Sequence, residues 1–324
     1  MYSLPDMSKW KGRVDVQEGE AGLRWHQVVR PLAASDNPIG ATALLGFACD
    51  AGVSRNQGRT GAQQGPQAIR AMLGGLPVRP HRNIIDAGDV SCPSDNGIDS
   101  LEAAQAELSA RLAQLLQQGL FPVTLGGGHE VAWGSFGGLA SNLEAKPGKA
   151  PRIGIINFDA HFDLRREDRA TSGTPFRQIA EDCQRRGWDF NYCCLGVSRF
   201  ANSEALFQRA ADLGVRFVLD DDMTLDRKPE LIALLDDFID DVDHVYFTFC
   251  LDVLPAAMAP GVSAPAARGV SMELVEPLLD HIARSGKVRL ADIAELNPSF
   301  DIDNRTARVA ARLVARLTDQ VVAA

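Results

Sequence analysis

The chain predicts an α/β fold: a three-layer αβα arrangement around a mainly parallel sheet of about eight strands. Three observations carry that prediction. Apolar, β-branched runs alternate with helical patterns through almost all of the 324 residues, and such alternation produces a parallel sheet covered by helices. The strand runs are continuously apolar rather than alternating, as in strands buried on both faces. Several runs end in histidine and carboxylate, and open parallel sheets collect ligands at the carboxyl ends of their strands.

In chain order the strands are Thr42–Cys49, Asn83–Asp86, Phe121–Leu125, Ile153–Phe158, Tyr192–Val197, Arg216–Leu219, His244–Leu251 and Lys287–Leu296. Helical periodicity places Pro66–Leu73, Leu101–Gln118, Glu130–Leu139, Pro175–Arg186, Ser203–Leu213, Lys228–Ile239 and Met272–Arg284 between them, with a long C-terminal helix at Arg305–Thr318. Ser141–Pro151 is polar with two prolines and reads as a surface loop. No Gly/Ser/Pro linker or internal repeat divides the chain. One domain over residues 1–324 is expected, with residues 1–40 as an N-terminal extension.

Composition narrows the function. Hydrophobic residues make up 45%, enough for a large core, and 33 basic against 42 acidic residues leave a net charge of −9. That balance argues against a nucleic acid as main partner. It leaves small substrates open, because a local arginine cluster binds an anion inside an acidic protein. Met1 to Arg13 is mixed and polar, so no secretory signal is expected. No apolar run approaches the ~18 residues that span a bilayer. Cys49, Cys92, Cys183, Cys193, Cys194 and Cys250 are scattered without a CxxC pair. That usage fits reduced, mostly buried thiols and a cytoplasmic location.

Asp159, His161 and Asp163 alternate, and in an extended segment they share one face. They follow the apolar run Ile153–Phe158, where an unpaired buried polar cluster is costly. A hydrogen-bonded Asp/His cluster relieves that cost, and so does a divalent cation. Mixed N/O ligation suits a cation that activates water. Gly126, Gly127 and Gly128 precede His129 and permit a tight turn with close backbone approach. No Lys-Ser/Thr follows, as a phosphate-binding loop requires, and the dinucleotide fingerprint GxGxxG is absent. Asp252 ends the run Val245–Leu251, as a capping aspartate or a further ligand, ahead of the Pro/Ala/Gly-rich loop Pro255–Gly269.

Together these stretches resemble the ureohydrolase family of arginases, agmatinases and formimidoylglutamases. The resemblance covers roughly Thr42 to Leu317. The family signature DAHxD is intact at Asp159–Asp163. A second signature fits from Asp252 through Ala256, Pro260, Gly261 and Gly269. The resemblance implies an arginase-like fold, a homo-oligomer, and a paired Mn2+ site held by His129, Asp159, His161, Asp163 and Asp252. It also implies that Glu295, within Asp292–Pro298, faces the amidine-type group of the substrate.

Three positions depart from the family pattern. Cys250 stands where relatives carry a metal-bridging aspartate, and thiolates favour softer ions than Mn2+. Two ions with one weakened, a single ion, Zn2+ or Fe2+ bound through Cys250, and a buried cysteine touching no metal all fit that substitution. The expectation is reduced occupancy of one metal position. Ser172 stands in place of a proton-transferring histidine. Its hydroxyl can relay a proton but is no base near neutral pH, which points away from arginase itself. Glu130 follows His129 where many relatives have serine.

Within the family, Ser54–Gly61, Gly65–Arg70, Asp163–Arg165, Ser172–Phe176 and Pro260–Gly269 look most like the formimidoylglutamase branch. The implied substrate, N-formimidoyl-L-glutamate, carries two carboxylates and a cationic formimidoyl group. Arginine forks bind carboxylates well. Arg55, Arg59, Arg165 and Arg268 lie in strand-end loops and are the candidates, with Ser172 beside them. The implied reaction is attack of metal-activated water on the formimidoyl carbon. Glu295 holds the amidine and Asp163 passes a proton to the departing amine. Products are glutamate and formamide, a step of histidine degradation. The alternatives are a guanidino-acid hydrolase releasing urea and a catalytically silent, metal-stabilised relative.

Overall fold

Continuous apolar runs become the centre of the molecule in the computed structural model, which describes residues 1–33, 39–79, 82–95, 98–144 and 149–321. The runs form eight strands: β1 (Thr42–Ala48), β2 (Ile84–Ser91), β3 (Phe121–Leu125), β4 (Ile153–Phe158), β5 (Asn191–Val197), β6 (Arg216–Leu219), β7 (His244–Cys250) and β8 (Val288–Ala294). All eight are parallel, in the order β2-β1-β3-β8-β7-β4-β5-β6. Two short additions bring the sheet to ten strands. Tyr2–Ser3 pairs antiparallel with Asp89 and Val90 of β2, and Arg30–Pro31 pairs parallel with Ile85 and Asp86. Dipeptides of this kind carry no periodic signal.

Eight helices cover the sheet: α1 (Gly65–Gly74), α2 (Leu101–Gln117), α3 (Val131–Glu144), α4 (Pro175–Arg186), α5 (Glu204–Asp212), α6 (Lys228–Asp240), α7 (Met272–Ala283) and α8 (Arg305–Gln320). Helices α1, α6, α7 and α8 bury Ile69, Leu235, Leu278 and Val314 in one apolar cluster, together with Trp10 and Trp25. Phe136 of α3, Ile179 of α4 and Leu206 of α5 line the other face with Ile155 and Tyr246, and Leu108 of α2 extends that layer. The predicted three layers are therefore present. Among the described residues no helix is long and apolar enough to cross a membrane.

Two boundaries differ from the sequence reading by more than two residues. Strand β2 continues past Asp86 to Ser91. Its aspartates interrupt the apolar pattern, but Arg70 of α1 neutralises them, 2.9 Å from Asp86 and 2.7 Å from Asp89. Trp10 Nε1 also donates to Asp86, at 2.8 Å, fastening the N-terminal residues to the sheet edge. Helix α3 runs on through Glu144, so the first part of Ser141–Pro151 is helical rather than loop. Residues 145–148 of that segment lie outside the described residues.

Strand order positions the site. Strands β3, β8, β7 and β4 are neighbours in that order. Their carboxyl ends lead respectively into His129, Glu295, Cys250 with Asp252, and Asp159 to Asp163.

Candidate metal centre and substrate cavity

The glycines before His129 are fixed by close approach. Gly126 N donates to Ile293 O of β8, Gly127 N to Phe47 O of β1, and Gly128 N to Cys49 O. A Cβ on Gly127 would stand 1.7 Å from Cys49 O. The turn is thus clamped between two strands, and α3 starts directly after it. His129 N donates to Glu295 Oε1 at 2.9 Å, while Glu295 N donates to Gly127 O at 2.8 Å.

Two half-sites share Asp159. His129 Nδ1 lies 2.9 Å from Asp159 Oδ2 and 3.0 Å from Asp163 Oδ2. His161 Nδ1 lies 3.4 Å from Asp159 Oδ1 and 3.2 Å from Asp252 Oδ2. Cys250 Sγ joins the first group: donor atoms of His129, Asp159 and Cys250 all fall within 4.8 Å of one another, as do those of Asp159, His161 and Asp252. The chain reaches this arrangement by bending rather than by staying extended. Asp163 has φ +49° and Glu295 φ +72°, left-handed conformations that cost a non-glycine residue energy and cluster at functional sites.

Electrostatics shows what the cluster lacks. Burial opposes protonation of both imidazoles, but carboxylates override it. Asp159 and Asp163 raise the pKa of His129 well above its ordinary value, and Asp252 and Asp159 do so for His161. Burial and the Asp159 charge push Asp163 up to about 6. Asp159 goes the other way: burial is outweighed by its two histidine partners, and its pKa is lowered. Burial, then Asp159, Asp252 and Glu295, raise the Cys250 thiol. The site calls for positive charge, from imidazolium protons or from a cation. Asp252 Oδ1 and Glu295 Oε2 are buried without a hydrogen-bond partner, an arrangement that is costly unless compensated. Ligand atoms about 2.1 Å from one octahedral ion sit about 3 Å apart, close to the N···O spacings present. The residues therefore fit a divalent cation, with the nitrogen and oxygen donors of both half-sites suited to a manganese-class ion.

Behind His129 lies a polar support. Its Nε2 is 3.0 Å from Thr248 Oγ1. Thr248 pairs across strands with Asp292, which accepts a 2.6 Å hydrogen bond from Tyr246. Burial raises the Asp292 carboxyl, while His129, Thr248, Tyr246 and Ser135 pull it down. Thr248 and Asp292 were missed by sequence reasoning because they sit inside apolar strands. Their one signal was polarity at positions that should be buried.

A cavity of about 310 Å³ opens over the cluster. Arg59, Arg165, Ser172, Cys250 and Glu295 line it, beside His129, His161, Asp163 and Asp252. Arg59 is held by Ser263 O at 3.0 Å and by Val262 O, 4.0 Å above the Phe300 ring. Arg165 is exposed, folds across Gly173, and has no side-chain ion pair among the described residues. Ser172 Oγ accepts from Asn56 Nδ2 at 3.2 Å. Asn56 and Asn202 also line the cavity without having been singled out from sequence. Asn202 donates to Ala160 O and Ser198 O and accepts from Phe162 N, pinning the Asp159–Asp163 loop.

Two arginine expectations are corrected. Arg55 is turned away from the cavity, its guanidinium bonded to Asp99, Glu102 and Ala170 O and its side chain 8% exposed. Arg268 faces Asp221 at 3.3 Å and lines an adjoining depression that shares His161, Ala201 and Ala264 with the cavity without lining the cavity itself. In both cases an acid remote in sequence takes the guanidinium. Glu130 is fully buried and accepts from Gly52 N at 2.8 Å. Burial is the main cause that raises its pKa to about 7.

Residues 41–318 match the arginase family, and the chain belongs to that family. It is 63% identical over 321 residues to the formimidoylglutamase of Ralstonia nicotianae, covering 99% of this chain and 98% of the relative. Identity to the Aeromonas hydrophila formimidoylglutamase is 54% over 317 residues, 98% of each chain. Formimidoylglutamase from Bacillus subtilis has the same fold, with a TM-score of 0.77 at 22% identity over 90% of both chains. Trypanosoma cruzi formiminoglutamase with Mn2+2 gives a TM-score of 0.75 at 28% identity, over 88% of this chain and 95% of that one.

Proposed function

We propose that this chain hydrolyses N-formimidoyl-L-glutamate to glutamate and formamide, the amidine-cleaving step of histidine degradation. The observation that carries it is the pairing of a carboxylate-rich cluster with arginines in one cavity. Manganese, the ion of the Trypanosoma cruzi formiminoglutamase structure, would be held by His129, Asp163 and Cys250 on one side and His161 and Asp252 on the other, with Asp159 between. When bound, such an ion supplies Lewis-acid activation of water.

The protein's own groups do the rest. Glu295 lines the cavity with an unpartnered Oε2. Burial, Glu130 and Asp252 raise its pKa, so a cationic formimidoyl group is the charge that keeps it ionised. That contact fixes the reactive carbon in line with the cluster. Arg165 and Arg59 reach the two carboxylates at the mouth. Asp163, within 3.0 Å of His129, takes the proton of the attacking water and delivers it to the glutamate nitrogen. Ser172, held by Asn56, orients the substrate. Cys250 in place of a carboxylate lowers the affinity of the His129 side, so one ion binds more weakly. Residues 1–324 act as one domain, assembled as a cytoplasmic homo-oligomer.

The test is product release from N-formimidoyl-L-glutamate by manganese-reconstituted protein, with 4-guanidinobutyrate and agmatine alongside. Glutamate and formamide from the first substrate alone are expected. Urea from a guanidino compound would reassign the activity, and absence of turnover would leave a silent relative. Metal analysis on the same preparation is expected to give fewer than two tightly held ions per chain.

A further inference from the structure

At the opposite end of the sheet lies a second cavity, of about 360 Å³. It opens where β1, β3, β7 and β8 begin, and Arg82, Asn142, His244 and Arg289 line it together with Phe121, Leu139 and Val288. Although the chain carries a net charge of −9, the described lining holds two arginines and no carboxylate. Arg82 is partly neutralised by Asp319, 3.6 Å away. Arg289 is not. It is half-buried and has no ion pair among the described residues. Its pKa is lowered by burial, with no carboxylate raising it.

The geometry leaves one end of Arg289 free. Its Nε donates to His244 Nδ1 at 3.1 Å, and its two terminal nitrogens have no acceptor among the described residues. Asn142, 4% exposed overall, lines the cavity beside it. An uncompensated, half-buried guanidinium is costly to a fold unless something pairs with it. Apolar and polar side chains share the lining, and the volume exceeds what a bare inorganic anion fills. Pockets of this size and mixture are typical small-molecule sites.

We infer that this cavity binds an organic carboxylate with an apolar body, its carboxylate gripped end-on by Arg289 and hydrogen-bonded by Asn142. The apolar part lies against Phe121, Leu139 and Val288. The guanidinium fork matches two carboxylate oxygens, and the walls supply the burial. The site is independent of the metal centre and of the reaction proposed there.

The test is calorimetric titration of the full manganese-loaded chain with phenylacetate as probe. Inorganic phosphate and benzyl alcohol each present one half of that chemistry. Saturable phenylacetate binding is expected, tighter than either partial probe. Arg289→Met should weaken it about tenfold or more, and Arg289→Lys should restore part of the loss. Without probe, Arg289→Met should melt no lower than the parent, since it keeps the stem and removes an uncompensated charge. Turnover at the distant centre should be unchanged. Phenylacetate binding that is absent, equal in Arg289→Met, or weaker than that of phosphate overturns the inference. So does a fall in the melting temperature of Arg289→Met, which would make Arg289 structural.

Discussion

His129 turns Nδ1 to the carboxylates and Nε2 to Thr248 Oγ1, so one hydroxyl sets which nitrogen carries the proton. A support of this kind orients a ligating imidazole and raises its basicity. Thr248→Val keeps the shape and removes the acceptor, leaving a buried N–H unpaired. Manganese affinity, read by titration with detection of the free ion, should fall about 10-fold or more, and Thr248→Ser should hold it near the parent value. Equal affinity in the valine variant would deny Thr248 that role. Legibility at this scale was uneven. Asp159, His161 and Asp163 stood out by spacing after an apolar run, and Cys250 only through the family resemblance. Arg55 and Arg268 misled, because their carboxylate partners Asp99, Glu102 and Asp221 are set by folding rather than by any local pattern.

Helices and strands were legible because period and length differ sharply between them. All eight parallel strands and all eight covering helices lie where apolar runs and helical spacing placed them. Strand β2 extends beyond the sequence reading because its aspartates look like a turn, and only the fold brings Arg70 to both of them and Trp10 to Asp86. The N-terminal strand additions are too brief to show any pattern. The turn between β3 and α3 is the tightest element of the site. Gly127→Ala forces a methyl onto the Cys49 carbonyl, where backbone must move on both sides. That should cost about 3 kcal/mol, measured by chemical denaturation, and should reduce metal affinity as well because His129 sits two residues on. A variant as stable as the parent would show that the turn can relax.

The whole molecule feels the charge balance of the centre through linkage. Without an ion, His129 and His161 have folded pKa values above their ordinary ones, so their contribution is full below the unfolded histidine range and fades as pH rises through the folded values. Asp163, pushed up to about 6, has the same sign, and Asp159 the opposite one. An ion competes with those protons, so its binding strengthens as pH rises. The manganese-induced gain in melting temperature should therefore be larger at about pH 8 than at about pH 6. An equal or smaller gain at the higher pH would contradict the protonated-imidazole description of the metal-free site.

Strand β8 is the last strand in sequence, yet it lies between β3 and β7 in the sheet. A growing chain can pair β2, β1 and β3, and separately β7, β4, β5 and β6, but each group keeps an unpaired edge until β8 arrives. Such non-local closure is slow, and open edges invite wrong partners. The bond between His129 N and Glu295 Oε1, 166 residues apart, forms only at that final insertion. A nascent chain stopped before Val288 thus carries His129, Asp159 and Asp252, but in two halves with no seam to hold them together. Competence for loading the ion waits on the arrival of β8.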